Sequence, residues 1–222
     1  MDYIVARDLN SLYIILDIIW LVVLTVIFLY SGKKQAVIVG VLAGLLYFIV
    51  DYGGFYMLAG TRSVEGAPTG LFLFWLSMSY GFTNFTWIWL LLENDGHQLE
   101  WSLLPIIGWL GVGLLAQNFG TNFHQIHIQR YVGSYHGIMA AILTVGYLIL
   151  IIRNLNSKHG QAPIARLIII GIGVQFAWEA VLLLTGIRPA GVRPLIINSL
   201  IETNLGMPYI YLIELKLNNK TD

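Results

Sequence analysis

LNSLYIILDIIWLVVLTVIFLYS, residues 9–31, holds a single ionisable carboxylate, Asp17, in a run that is otherwise uncharged. About 20 mostly apolar residues let a helix cross the ~30 Å hydrocarbon core of a bilayer, so this stretch reads as a membrane span with an acid inside it. Six more segments meet the same criterion: 35–60, 70–93, 102–119, 135–153, 165–186 and 194–215. Turn-forming residues separate them, among them Ser31-Gly32-Lys33-Lys34, Gly60-Thr61-Arg62, Asn94-Asp95-Gly96 and Arg188-Pro189-Ala190-Gly191. The chain is 57% hydrophobic and 11% charged over 222 residues, with a mean hydropathy of +0.74, far outside the soluble range. The expected fold is an all-α integral membrane protein: a bundle of seven transmembrane helices around a polar interior cavity, forming one domain over 1–222, with no extramembrane domain in its short gaps.

Net charge is zero and no basic block exists, which argues against nucleic acid and against a polybasic lipid-binding tail. Cysteine is absent, so disulfides and thiolate chemistry are excluded. The first apolar run lacks a basic leader and a small-residue cleavage site, and is expected to be retained as a helix. Lys33, Lys34, Arg153, Lys158, Arg166, Lys216 and Lys220 fall on one side of the predicted topology. Arg7, Arg62, Arg130, Arg188 and Arg193 fall on the other. This slight bias favours a multi-pass protein with a cytoplasmic C-terminus.

Three further acids lie inside spans: Asp51, Glu179 and Glu202. Counted along their helices at 1.5 Å per residue, all four sit roughly 10–14 Å from the side that carries the N-terminus. An ionisable group at that depth costs ~2.5 kcal/mol or more, and normally faces a cavity or a partner. Helical spacing supplies polar companions on the same faces: Tyr13 with Asp17, Gln175 with Glu179, Asn198 with Glu202, and Ser77, Tyr80, Asn84 and Trp87 along the third span. Pro208 cannot donate to the carbonyl of Asn204, and Gly206 loosens the same turn, so a kink should follow Glu202. Gly53-Gly54, after Asp51, is expected to allow close helix contact. Spans two and three also resemble six and seven in outline, each pair carrying an acid, a turn with arginine, and a helix with asparagine, as a parallel repeat would.

Aromatics divide by depth. Tyr30, Trp89 and Trp101 are expected at the interfaces, whereas Tyr52, Tyr56, Trp75, Tyr80, Trp87 and Trp178 lie beside the acids, where they serve core packing or a lining able to stabilise a cation. His124, His127 and His136 offer few metal donors, and no metal or cofactor is expected. Gly171, Gly173, Gly108, Gly111 and Gly113 read as packing positions. No lysine sits mid-span in the last helix to hold a retinal.

Phe176-Ala177-Trp178-Glu179 resembles the aromatic-Ala-Trp-Glu motif of the small seven-helix transmembrane terpene cyclases of fungal meroterpenoid pathways. The order of elements is similar too, with Glu100-Trp101-Ser102 opening the fourth helix, Arg153-Asn154 after the fifth, and an acid, Glu202, in the last. The resemblance implies seven helices and two intramembrane acids, one in the second helix and one in the seventh, that protonate an epoxide or alkene to start cyclisation. The family motif lies in helix two, where this chain has Val50-Asp51-Tyr52. By position Asp51 and Glu202 correspond; by motif Glu179 does.

The leading expectation is therefore a membrane-embedded, cofactor-independent cyclase or isomerase acting by acid catalysis on an isoprenoid-like lipid. Glu202 or Asp51 is the proton donor and Glu179 its partner or final base. Asp17, Tyr52, Tyr80, Asn84, Trp87, Trp178, Asn198, Asn204, Arg62 and Arg188 are the expected binding residues, with Arg62 and Arg188 at the rim. Such chemistry needs a carboxylic acid that stays protonated at neutral pH, a state favoured by burial beside other acids. The same residues also suit a small proton-coupled carrier, or a sensor whose polar groups only hold helices together. The expected partners are a hydrophobic small-molecule or lipid substrate and membrane lipids; the sequence leaves oligomeric state open.

Overall fold

The protein is described here by a computed structural model covering residues 3–132, 135–156, 161–189 and 191–218. Among these residues five helices are long and apolar enough to cross a membrane: Ser11–Tyr30, Lys34–Leu58, Gln98–Phe119, His136–Asn156 and Ile164–Leu184. The chain forms two compact units, residues 1–132 with 180–191, and residues 133–179 with 192–222. Lys158 and Lys220, two of the charges used for orientation, lie outside the described residues.

In the first unit, β1 (Tyr3–Asn10) leads directly into α1 (Ser11–Tyr30). Asn10 makes that junction: its carboxamide oxygen accepts from Tyr13 N at 3.0 Å, capping the helix, and its Nδ2 donates to Ala116 O at 3.1 Å. α2 (Lys34–Phe48) continues as a π-helix over Ile49–Leu58, then comes β2 (Arg62–Glu65). α3 (Thr69–Glu93), α4 (Gln98–Phe119) and β3 (Gln125–Val132) follow. The outward faces of α1 and α2 carry exposed apolar stripes at helical spacing, Ile15, Ile19, Val22 and Val26 on one and Ile38, Leu42 and Leu46 on the other. Such stripes are apolar enough to face lipid.

α3 is the axis of this unit. It packs against α1, α2, α4 and the π-helix, and its residues are buried almost all round, including Ser77, Ser79, Thr83, Asn84 and Thr86. A helix so enclosed can carry polar side chains that a lipid-facing helix cannot, which is why it is less apolar than its neighbours. It approaches α2 through glycine. A Cβ on Gly81 would stand 2.7 Å from Gly44 Cα, and one on Gly40 would stand 2.9 Å from the carbonyl of Phe82. Gly40 and Gly44 thus form the small-residue stripe that lets the two backbones touch. Gly53 and Gly54, expected to do this, do not: a Cβ on either meets nothing within 4 Å. They lie in the π-helix, beyond the tight contact.

The strands correct the all-α expectation. β1, β3 and β2 form an antiparallel sheet in that order, with Val5 opposite Arg130, Arg7 opposite Ile128, and Arg62 opposite Arg130. Segments read as loops are therefore a small layer at the end of the unit that holds the N-terminus. Asp8 N donates to Ile187 O at 2.8 Å, tying residues 180–191 to the free edge of β1. At the opposite end Lys33 joins Glu93 at 2.7 Å and Asp95 at 2.8 Å. Trp89, expected at the lipid interface, is fully buried there and donates to Glu93 Oε1 at 2.9 Å.

The second unit contains α5 (Tyr135–Asn156), most of α6 (Ile164–Leu184), α7 (Val192–Ile201), a 3₁₀ turn at Asn204–Gly206, and α8 (Met207–Asn218). The expected kink is a complete interruption. Glu202 and Thr203 leave the helix, the next turn tightens to i→i+3 bonds (Gly206 N to Thr203 O, 3.1 Å), and Pro208 opens α8 in the first turn, where its missing N–H costs nothing. A Cβ on Gly171 would lie 2.7 Å from Asn204 Oδ1, so α6 comes close to this break.

Candidate functional site

Glu179 projects from α6 and is completely buried; Glu202 lies in the break after α7 with 9% exposure. Gln175, one turn before Glu179 on the same face, joins them. Its Nε2 donates to Glu179 Oε1 at 3.3 Å and to Glu202 Oε2 at 3.2 Å. Thr203 donates to Gln175 Oε1, which fixes which end of that amide faces the acids. Asn198, one turn before Glu202, adds a bond from Nδ2 to Glu179 Oε1 at 3.1 Å. Two carboxyl groups thus share one amide in a buried setting, where hydrogen bonds are worth more than in water.

Asn204 is held differently. It accepts from the Tyr147 hydroxyl at 2.7 Å and donates to Leu200 O at 3.3 Å, so it links α5 to the broken segment. Tyr147 and Thr203 were not read from the sequence as part of a site. Trp178, next to Glu179, is 2% exposed within the same unit.

The other expected residues belong to the first unit. Asp17 is fully buried and accepts from Trp75 Nε1 at 2.9 Å. Asp51, buried in the π-helix, accepts from Arg62 Nε at 2.8 Å, and Arg130 Nη2 stands 3.7 Å from the same oxygen. Arg62 also lies 4.5 Å over the ring of Phe55 and donates to Thr61 O. It is a buried linchpin between the π-helix and β2. Tyr52 stacks with Phe48 and Tyr56, centroids 5.3 and 5.4 Å away. Tyr80 meets Tyr47 edge-on at 5.2 Å, and Trp87 donates to Ser102 at 3.0 Å beside Trp109. Asn84 is fully buried in α3, and Arg188 is 3% exposed in the segment tied to β1.

On the solvent side of the sheet His127 pairs with Asp8, and His124 reaches Gly66 O at 2.6 Å. No group of three or more metal-ligating side chains occurs among the described residues. Compared with protein families, curated proteins and solved structures, the chain matches none.

Proposed function

We propose that the protein is a seven-span membrane enzyme with a polar interior that cyclises or isomerises an isoprenoid-like lipid by acid catalysis. The observation that carries this reading is the Glu179–Gln175–Glu202 arrangement: two buried carboxyl groups bridged by one oriented amide, beside an interrupted helix. Acid-initiated cyclisation needs a donor and an acceptor close to each other, and two adjacent carboxyl groups can hold one proton between them. Glu202, at the break, gives its proton to an epoxide oxygen or an alkene carbon. The π electrons of the next double bond then close the ring, and the resulting cation loses a proton to Glu179. Return of that proton to Glu202 completes an isomerisation without oxidant or cofactor. Asp51, engaged by arginine, serves to place the π-helix and its aromatic residues Tyr52 and Tyr56.

The sixth and seventh spans of this reading are α3 and the α7–α8 segment. At 1.5 Å per residue the 25 residues of α3 exceed the ~30 Å hydrocarbon thickness. The C-terminus is placed on the cytoplasmic side. An interrupted span beside buried acids also suits a proton-coupled carrier, and the same experiment separates the two. Glu202→Gln keeps shape and hydrogen bonding but removes the acid. Turnover of a prenylated substrate should fall ~10²–10⁴-fold while the melting temperature holds. Wild-type turnover in this variant removes Glu202 from the mechanism. Proton flux in proteoliposomes without any product supports the carrier.

A further inference from the structure

Arg7, Arg62, Arg130 and Arg188 are spread over the length of the chain, yet the first unit gathers them at one end. Arg7, Arg130 and Arg62 come from the three adjacent strands β1, β3 and β2, and occupy the same face of the sheet. That face is the inner one: it also bears Val5, Leu9, Ile126 and Ile128, all buried, whereas Asp8 and Glu65 point outward and are exposed. Arg188 follows Ile187, whose carbonyl is bound by Asp8 of β1. The order across this inner face is therefore Arg7, Arg130, Arg62, with Arg188 in the segment bonded to the free edge of β1.

This is an unusual inner face for a sheet. Arg62 and Arg130 are direct cross-strand partners, a like-charge pairing that is unfavourable in itself. Both approach one oxygen, Asp51 Oδ1. Arg7 stands on the other side of Arg130, diagonal to it across the β1–β3 ladder, a neighbour relation of ~7–8 Å. Arginine presents a planar fork that binds two oxygens of a phosphate at once, and several forks at such spacing match a group with many oxygens better than a single carboxylate. The level is also right. β1 runs directly into the capped start of α1 and β2 follows the end of the π-helix, so this face lies where spans leave the hydrocarbon and lipid headgroups begin.

We infer that the inner face of the sheet is a phosphoryl-binding site, with Arg130, Arg7 and Arg188 engaging a phosphate or diphosphate and Asp51 holding Arg62 in place. Of the two arginines at Asp51, Arg130 is the more accessible, its side chain retaining 17% exposure against 0% for Arg62. The source of the phosphoryl group is either the headgroup of an isoprenoid phosphate or free phosphate. The isoprenoid form ties the site to the reaction proposed above, and to that extent the inference rests on that reading.

The test is binding alone, with no turnover. Purified protein in detergent is titrated at constant ionic strength with pyrophosphate, farnesyl diphosphate and farnesol, and its melting temperature is followed by tryptophan fluorescence. Both phosphorylated compounds should raise it, by on the order of 5 °C at saturation, while chloride at equal ionic strength should not. Tighter binding of farnesyl diphosphate than of pyrophosphate identifies a lipid headgroup site; equal binding identifies a site for free phosphate, and both support the inference. Arg130→Gln should weaken binding ~10-fold or more, and Arg130→Lys should recover part of it. If wild-type protein is unmoved by both phosphorylated compounds, the inference is wrong, whether or not any variant folds. It is equally wrong if folded Arg130→Gln binds as well as wild type. Phosphoryl binding without cyclisation leaves this site standing and removes the enzyme reading; cyclisation without phosphoryl binding does the reverse.

Discussion

At Asp51 one carboxylate meets two guanidiniums, so its loss does more than remove a hydrogen bond. Arg62, with no side-chain exposure, would remain a buried charge without the carboxylate it pairs with, and would still face Arg130 opposite. Breaking a buried pair by removing one partner costs about 3–5 kcal/mol, and Asp51→Asn should destabilise the protein in detergent unfolding by about that amount. Asp51→Asn with Arg62→Met should recover a large part of it, because the stranded charge goes too. A double variant as unstable as the single one would show that Asp51 acts through other contacts. The residue scale also shows what the sequence could reveal. Gln175 was legible as a companion of Glu179 because four residues apart is one helical turn. Thr203 was not, since in a continuous helix it stands about 100° from Glu202. The break after Ile201 alone brings its hydroxyl to Gln175.

The α2–α3 contact sets the element scale, because backbone meets backbone there. Gly81→Ala places a methyl 2.7 Å from Gly44 Cα, and neither partner is a flexible side chain that could yield. The helices must separate, at a cost of about 1–3 kcal/mol. Gly53→Ala, with nothing within 4 Å, should leave the melting temperature near that of wild type. Equal losses in both variants would show that the Gly81–Gly44 contact is not what sets the cost, since alanine's higher helix propensity works in the opposite direction at both positions. The same elements explain which parts of the fold were readable. Spans announce themselves by hydropathy, and their ends agreed with the glycine, proline and asparagine turns to within a few residues. Strands announce themselves by alternation, and here alternation was disguised. Arg7, Arg62 and Arg130 occupy inward positions where apolar residues are the usual signal, so β1, β2 and β3 read as polar loops. The strand Gln125–Val132 still keeps Ile126 and Ile128 two apart, a trace of period two.

On the scale of the molecule, the first unit has a different kind of closure at each end. The sheet closes one end with buried arginines. The other is held by a clasp near the surface, where Lys33 bridges Glu93 and Asp95, Trp101 donates to Asp95 at 2.9 Å, and Lys33 lies 6.0 Å from the Trp101 ring. The clasp makes stability depend on pH. The Lys33 hydrogen bond, against an opposing effect of burial and with help from His97 N–H and Trp101, holds the Asp95 carboxyl far below its ordinary 3.8. For Lys33 burial pulls downward, but bonds to Asp95 and Glu93 outweigh it and leave the amine above its ordinary 10.5. A lowered carboxyl stabilises the fold above its unfolded value and ceases to do so as pH falls through its folded value. A raised amine stabilises the fold below its unfolded value, and that contribution is lost as pH rises through its folded value. The clasp should therefore be intact between about pH 4 and pH 10 and weaken outside that window, with an effect reduced by salt because both partners touch solvent. Asp95→Asn should melt below wild type at pH 7, and the gap should narrow as pH falls below 3.8, because the unfolded wild-type chain then takes up a proton at Asp95 that the folded protein still excludes. Melting curves for both proteins from pH 7 to pH 2 decide the matter: a gap that stays constant over that range would assign the stabilisation to shape and hydrogen bonding, with no part for the charge on Asp95.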